Sequence, residues 1–304
     1  MPELPDITIY IRAIEKRTLG KRLLGLRLSG PFFLRTVTPP VSDLTGRSVV
    51  AMHRLGKRIV FELEDDRFII LHLMIAGRLH WKPASVKIGG KVALAALDFD
   101  TGCLLVTEAG TKKRASLHLA RGKDALAAYR SDGLDLFACS QEQFRHRLRS
   151  ENHTIKRALT DPHLFSGVGN AYSDEILHRA RMSPFALTST MTEEDIARLL
   201  ASARDVLSEW IDRLAAEAGD DFPEKVTAFR EEMAVHGKYG KPCPVCGSPV
   251  QRVVYAENEM NYCVTCQTGG KLLADRGLSR LLRSDWPRTL DELEGLRRTP
   301  GSGP

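Results

Sequence analysis

Four cysteines near the C-terminal end, Cys243, Cys246, Cys263 and Cys266, stand in two Cys-x2-Cys knuckles separated by sixteen residues. At that spacing four thiolates can close a tetrahedral shell around zinc. Pro244, Gly247 and Pro249 place turn residues in and beside the first knuckle, and the β-branched run from Gln251 to Tyr255 suits a hairpin strand between the two. So short a segment has almost no core of its own, and an apparent zinc affinity of about 10–16 kcal/mol would hold it folded. The expected cofactor is one structural Zn2+. The remaining cysteines, Cys103 and Cys139, lie singly in apolar stretches and read as small buried hydrophobes.

At 304 residues the chain has room for two further domains beside this finger. No apolar stretch approaches the length of a membrane span. The first residues carry acids and prolines where a signal peptide would have a basic region and an apolar run. A cytoplasmic, nucleoid-associated location with no membrane partner is expected. The net charge is +6 with a pI near 9.0. Basic residues cluster at Lys16-Arg17, Lys21-Arg22, Lys112-Lys113-Arg114 and between Lys238 and Lys241. Such clusters suit a polyanion, although each also fits an ordinary solvated face.

The pattern along the chain predicts an α+β multidomain protein. Residues 5–18 read as a helix with Pro5 and Asp6 in its first turn and Ile7, Ile11 and Ile14 on one face. Short β-rich segments follow at 47–54, 57–64, 67–74, 76–81, 90–99, 102–107 and 114–119, the composition of an antiparallel sandwich. A linker with Gly122, Ser131 and Gly133 leads to a helical region from about residue 140. Its clearest element, 192–217, opens on a Thr192-x-x-Asp195 capping pair, carries one apolar stripe and stops at Gly219. Residues 222–235 read as a short continuous helix. Leu272, Leu273, Leu278, Leu281 and Leu282 read as an amphipathic helix packing on the protein's own body, and 299–304 as a disordered end.

Three motifs in order, Met1-Pro2-Glu3-Leu4-Pro5-Asp6, Ser166-Gly167-Val168-Gly169-Asn170-Ala171-Tyr172 and the four-cysteine finger, resemble the formamidopyrimidine-DNA glycosylase and endonuclease VIII family. The resemblance covers roughly 2–268. It implies a catalytic β-sandwich (2–125), a helix–two-turn–helix DNA-binding domain (136–235) and the zinc finger (236–268), with 269–304 as an extension. Damaged double-stranded DNA would lie in the cleft between them, bound by a monomer that needs no nucleotide cofactor.

The resemblance also assigns roles. With Met1 removed, Pro2 would offer a secondary amine; α-amino groups titrate near about 7.7–8.0 against about 10.4 for lysine, so a useful fraction is nucleophilic at neutral pH. Attack on C1′ of deoxyribose gives an iminium that cannot shed its charge by N-deprotonation and so serves as an electron sink for strand cleavage. Glu3 is the implied general acid/base. Lys57 matches a lysine assigned to the lesion's phosphate and to elimination, and His72 a phosphate-contacting histidine. Lys156 and Asn170 match residues holding the DNA backbone, and Glu175 an acid beside the N-terminal proline. Such contacts position a duplex without reading it, and chemistry at C1′ requires the nucleotide to be flipped.

The chain departs from the family pattern where lesions are selected. His72-Leu73-Met74-Ile75-Ala76-Gly77 places Ile75, an apolar residue able to intercalate, where the wedge methionine is usual. The segment from Glu108 to Arg114 replaces the Asp-Pro-Arg-Arg-Phe-Gly loop, and a helical 222–235 would leave little room for the loop that covers 8-oxoguanine. These features argue against 8-oxoguanine opposite cytosine and toward oxidised pyrimidines, ring-opened purines or abasic sites. At the finger's tip Asn258 replaces the arginine linked to δ-elimination, so cleavage should stop mainly after β-elimination. Other readings are a non-catalytic binder of damaged or branched DNA, an AP lyase with little glycosylase activity, and an RNA-binding zinc protein.

Overall fold

A helix can begin at Leu4–Thr18 (α1) because Glu3 and Asp6 form a reciprocal capping box, with the Glu3 N–H donating to Asp6 Oδ2 at 3.0 Å. The computed structural model describes residues 1–84, 86–224, 226–255, 258–274, 280–282 and 285–298. The described chain divides into two units, Met1–Asp135 with Pro162–Val168 and Leu207–Ala228, and Leu136–Asp161 with Gly169–Val206 and Phe229–Pro304.

The first unit holds two four-stranded antiparallel sheets. One orders β1 (Leu23–Leu28), β6 (Ala93–Phe99), β7 (Gly102–Glu108) and β5 (Gly77–Lys82); the other orders β2 (Val49–Leu55), β3 (Arg58–Leu63), β4 (Arg67–His72) and β8 (Ser116–Arg121). Ile59, Phe61 and Leu63 along β3 and Ile69 and Leu71 along β4 share one face of the sheet, while Val60, Phe68 and Ile70 on the other face are buried with Ala120 and Leu126. The first set meets Leu97, Phe99, Leu104 and Val106 of the other sheet, and Ile7, Tyr10 and Ile14 of α1, in one core. The expected strands are all present, within a few residues at their ends. Strand β1 was not anticipated: it lies at a sheet edge, its register shifts between Leu23 and Gly25, and it carries a single charged residue, Arg27, among its leucines.

The second unit contains α3 (Gln141–Arg149), α4 (Ile155–Thr160), α5 (Asn170–Arg179) and the beginning of α6 (Glu193–Ala218). It also contains the hairpin of β9 (Val250–Tyr255) and β10 (Asn258–Cys263), followed by α7 (Val264–Thr268). The capping pair of α6 forms as expected: Thr192 N–H donates to Asp195 Oδ2 at 3.2 Å and Asp195 N–H to Thr192 Oγ1 at 3.1 Å. Among the described residues no helix is long and apolar enough to cross a membrane.

Two expectations change. The described residues of 222–235 contain no helix. Phe222 packs its ring 5.8 Å from that of Tyr10, and both Phe222 and Val226 enter the sandwich core, so their four-residue spacing marks two anchors and not a helical face. In the tail, Leu272 and Leu273 are not helical as expected, but they do pack on the protein's own body, joining Leu290 and Leu293 against Val253, Met260 and Tyr262 of the hairpin. Leu281, expected to share that contact, is 77% exposed. Leu278 and 299–304 lie outside the described residues.

Candidate active site and metal centre

The first cluster gathers around the chain's beginning. The loop before α5 reaches the N-terminal segment through one backbone hydrogen bond, Leu4 N–H to the Gly167 carbonyl at 2.9 Å. Gly167 has φ +88°, and a Cβ there would lie 2.9 Å from Leu4 Cβ, so both the left-handed backbone and the close approach require glycine. Pro2 and Glu3 are buried just ahead of this anchor. The Glu3 carboxylate accepts the Asp6 N–H in the capping box, which fixes its direction.

The charge around the N-terminal amine is mixed. Burial lowers the pKa of the Met1 ammonium below its ordinary value; Glu3 and Asp6 act to raise it, while Arg78 and Lys57 lower it further. Lys57 is half-buried in the tight turn joining β2 to β3, where Leu55 pairs with Arg58. His72 ends β4 opposite Arg58, and its pKa is pushed down to about 4, first by burial and then by Arg58, Lys57 and His118. It is therefore neutral at physiological pH. Lys57 thus acts on both the N-terminal amine and His72, and Glu3 acts on the same amine.

Ile75 lies in the turn between β4 and β5 and is 54% exposed, while Leu73 beside it is fully buried. Met74 takes φ +51°, and the Gly77 N–H closes the turn on the Leu73 carbonyl at 2.9 Å. The turn offers an apolar side chain to solvent on a constrained backbone. Arg78, whose guanidinium donates to the Ile75 carbonyl at 3.3 Å and acts on the N-terminal amine, had no sequence signal beyond its charge. In the replaced loop, the Glu108 carboxylate accepts the N–H groups of Arg114 and Ala115, leaving Lys112 and Arg114 exposed.

The second cluster is a buried polar network on α5. The Lys156 ammonium donates to the Asn170 carbonyl at 2.7 Å, Ser173 Oγ at 2.8 Å and Asp174 Oδ1 at 2.5 Å. Three acceptors match its three N–H groups, and the residue is 4% exposed. Lys156 is thereby enclosed in its own unit, where the resemblance implied a contact with the DNA backbone. The Asn170 side chain donates to the Glu259 carbonyl at 2.7 Å. Glu175 accepts the N–H groups of Ala234, Val235 and His236 at 2.8–2.9 Å. Burial pushes its carboxyl pKa up, and these three donors oppose the shift. Asp174 and His236, paired at 2.7 Å, were missed in the sequence.

The third cluster is sulfur-rich. In each knuckle the first cysteine accepts a backbone N–H: Val245 to Cys243 Sγ at 3.5 Å and Cys266 to Cys263 Sγ at 3.4 Å. Cys243 and Cys266 sulfurs lie 4.0 Å apart, and those of Cys246 and Cys263 3.3 Å apart. The ligand atoms of Cys243, Cys263, Cys266 and His178 all fall within 4.8 Å of one another, while Cys246 is exposed at the rim. Converging soft donors backed by N–H···S bonds fit a thiolate-bound metal ion. His178 was not singled out in the sequence, although it follows Asn170 and Asp174 at helical spacing. Asn258 begins β10 opposite Tyr255, and its side chain lies outside the described residues. Arg252, on the paired strand β9, stacks 4.4 Å from the Tyr239 ring centroid and pairs with Glu259 at 3.2 Å.

Comparison with known proteins agrees with this architecture. Residues 1–119 match the formamidopyrimidine-DNA glycosylase N-terminal domain, and residues 135–219 the H2TH domain of the same glycosylase. A formamidopyrimidine-DNA glycosylase of Thermus thermophilus is 30% identical over 279 residues, spanning 89% of this chain and all of the relative. An uncharacterized formamidopyrimidine-DNA glycosylase-like protein of Mycobacterium tuberculosis is 39% identical over 154 residues, 51% of this chain and 96% of that one. Among solved structures, Lactococcus lactis Fpg in complex with DNA containing an abasic site superposes with a TM-score of 0.78 at 25% identity, covering 88% of this chain and 99% of that one.

Proposed function

The chain belongs to the formamidopyrimidine-DNA glycosylase family of DNA-repair enzymes, and from that premise we propose that it excises damaged bases from double-stranded DNA and nicks the resulting abasic site through Pro2. The observation that carries this reading is the buried Pro2-Glu3 pair at the head of α1, where desolvation lowers the N-terminal amine's pKa despite the opposing charges of Glu3 and Asp6. Removal of Met1 would leave Pro2 as a secondary amine near Glu3, Lys57 and Arg78, with a useful fraction unprotonated and nucleophilic at neutral pH.

In the proposed reaction the Pro2 nitrogen bonds to C1′ as the glycosidic bond breaks and the base departs with the bonding electrons and a proton. Glu3 protonates the ring oxygen, the sugar opens, and the nitrogen becomes an iminium. Loss of a C2′ proton then sends electrons toward the iminium and expels the 3′ phosphate; water attacks C1′ and regenerates the amine. Lys57 and neutral His72 hold the lesion's phosphate. Ile75 fills the gap left by the flipped nucleotide, and such wedges offset the few kcal/mol that flipping costs. Asn258 at the finger's tip leaves β-elimination as the main outcome.

In this reading the sandwich (2–125) carries the chemistry, the helical region (136–235) and the finger (236–268) hold the duplex, and Leu272, Leu273, Leu290 and Leu293 of the extension brace the finger. Cys243, Cys246, Cys263 and Cys266 would hold one Zn2+, which supplies structural cross-linking and takes no part in the reaction. Lys156, Asn170 and Glu175 position the backbone that meets the DNA.

Borohydride reduction on DNA containing an abasic site should trap a covalent adduct whose mass maps to Pro2. Unchanged trapping and nicking in protein that retains Met1 would overturn the assignment. The altered loop at 108–114 favours one second reading, an AP lyase with little glycosylase activity. A lesion panel read separately for base release and nicking decides it: nicking at preformed abasic sites without release of any damaged base is the result expected of such a lyase.

A further inference from the structure

Helix α5 meets the finger through a polar stripe at four-residue spacing, and one helix face presents all three residues. Asn170 donates to the Glu259 carbonyl, Asp174 accepts the Asn261 N–H at 3.1 Å, and His178 places Nε2 3.2 Å from Cys243 Sγ. His178 and Cys243 are 6% and 3% exposed.

We propose that His178 is a positioning residue of the metal centre, donating its Nε2–H to the Cys243 thiolate from outside the shell and tying α5 to the finger. The inference rests on the reading that the cysteines hold zinc. Four thiolates around a divalent cation leave a net charge of about −2, and in a buried site that charge needs hydrogen-bond donors. Cys243 receives two, from the Val245 amide and from His178, whereas Cys263 receives the Cys266 amide. Cys246 lies outside the group of converging ligand atoms that includes His178, but its sulfur is 3.3 Å from that of Cys263, and a shell closed by that fourth sulfur would leave the imidazole the outer position.

The test uses the full-length protein loaded with zinc or with cobalt(II). His178→Phe keeps the ring and removes the donor, and should release zinc to a chromogenic chelator roughly tenfold or more faster, in line with other outer-shell changes. The thiolate-to-cobalt charge-transfer band should move to lower energy, because a thiolate without its donor is more easily oxidised. His178→Gln restores an N–H and should recover much of both effects; if the phenylalanine variant fails to fold, wild type and His178→Gln are compared with His178→Leu. Unchanged zinc release and an unchanged band would overturn the proposal. So would a wild-type cobalt spectrum of three sulfurs and one nitrogen, which puts His178 inside the shell. Wild-type protein that retains no metal would instead sink the zinc reading itself.

Discussion

The N-terminal cluster and the sulfur cluster are built in opposite ways. At the finger, all four cysteines fall within twenty-four residues, and two local turns bring them together. At the N-terminus, Glu3, Lys57, His72, Arg78 and Gly167 come from segments far apart in sequence and meet only because two sheets, a helix and a loop pack around them. A site fixed by local spacing should fail when a ligand is lost. A site fixed by packing should fail when its supports move.

That contrast can be broken or sharpened by experiment. The largest effect is expected from Cys263→Ser, which removes a ligand and with it most of the roughly 10–16 kcal/mol of apparent metal binding. Zinc content should fall to near zero and duplex affinity should collapse. The near-ultraviolet signature of Trp81 against Phe99 in the sandwich should persist; its loss would show that the two regions do not stand apart. Gly167→Ala is the reciprocal test. It forces a Cβ against Leu4 at φ +88°, a strain of about 1–3 kcal/mol, and should reduce borohydride trapping strongly with zinc content unchanged.

Acid should also distinguish the regions. His72 is held near pKa 4, below about 6.5 for an unfolded histidine. The unfolded chain therefore binds the extra proton first. Its contribution to stability is intact above about pH 6.5 and is lost progressively as pH falls toward 4. His72→Phe should flatten the fall in melting temperature over that window, and an unchanged profile would count against the buried neutral imidazole. The smallest effect is expected of Thr192→Ala, which removes a helix cap and should cost about 1 kcal/mol by denaturant titration. Neither trapping on abasic DNA nor metal content should change.

Some of this was legible before any fold was known. Strand and helix positions followed from the switch between two-residue and 3.6-residue periodicity, and failed where anchors imitated a period, as Phe222 and Val226 did. Ile75 was identifiable as an apolar residue where the resemblance expects a wedge, but that it is exposed in the turn was not legible. Lys156 carried a motif but not its partners: a lysine in sequence looks the same whether its ammonium meets a phosphate or is enclosed by Asn170, Ser173 and Asp174. His178 and Arg78 had no signal of their own, because a hydrogen bond to a sulfur and a charge beside an amine are relations between distant segments.

By itself the sequence determined the spacing of the four cysteines, the start of α1, the capping of α6 and the place of the N-terminal proline, since each depends on residues within a few turns of one another. Only the tertiary structure decided which charges surround the N-terminal amine, where the Lys156 ammonium is directed and which imidazole reaches Cys243. Those outcomes depend on burial and on contacts between segments far apart in the chain, and short-range pattern carries no record of either.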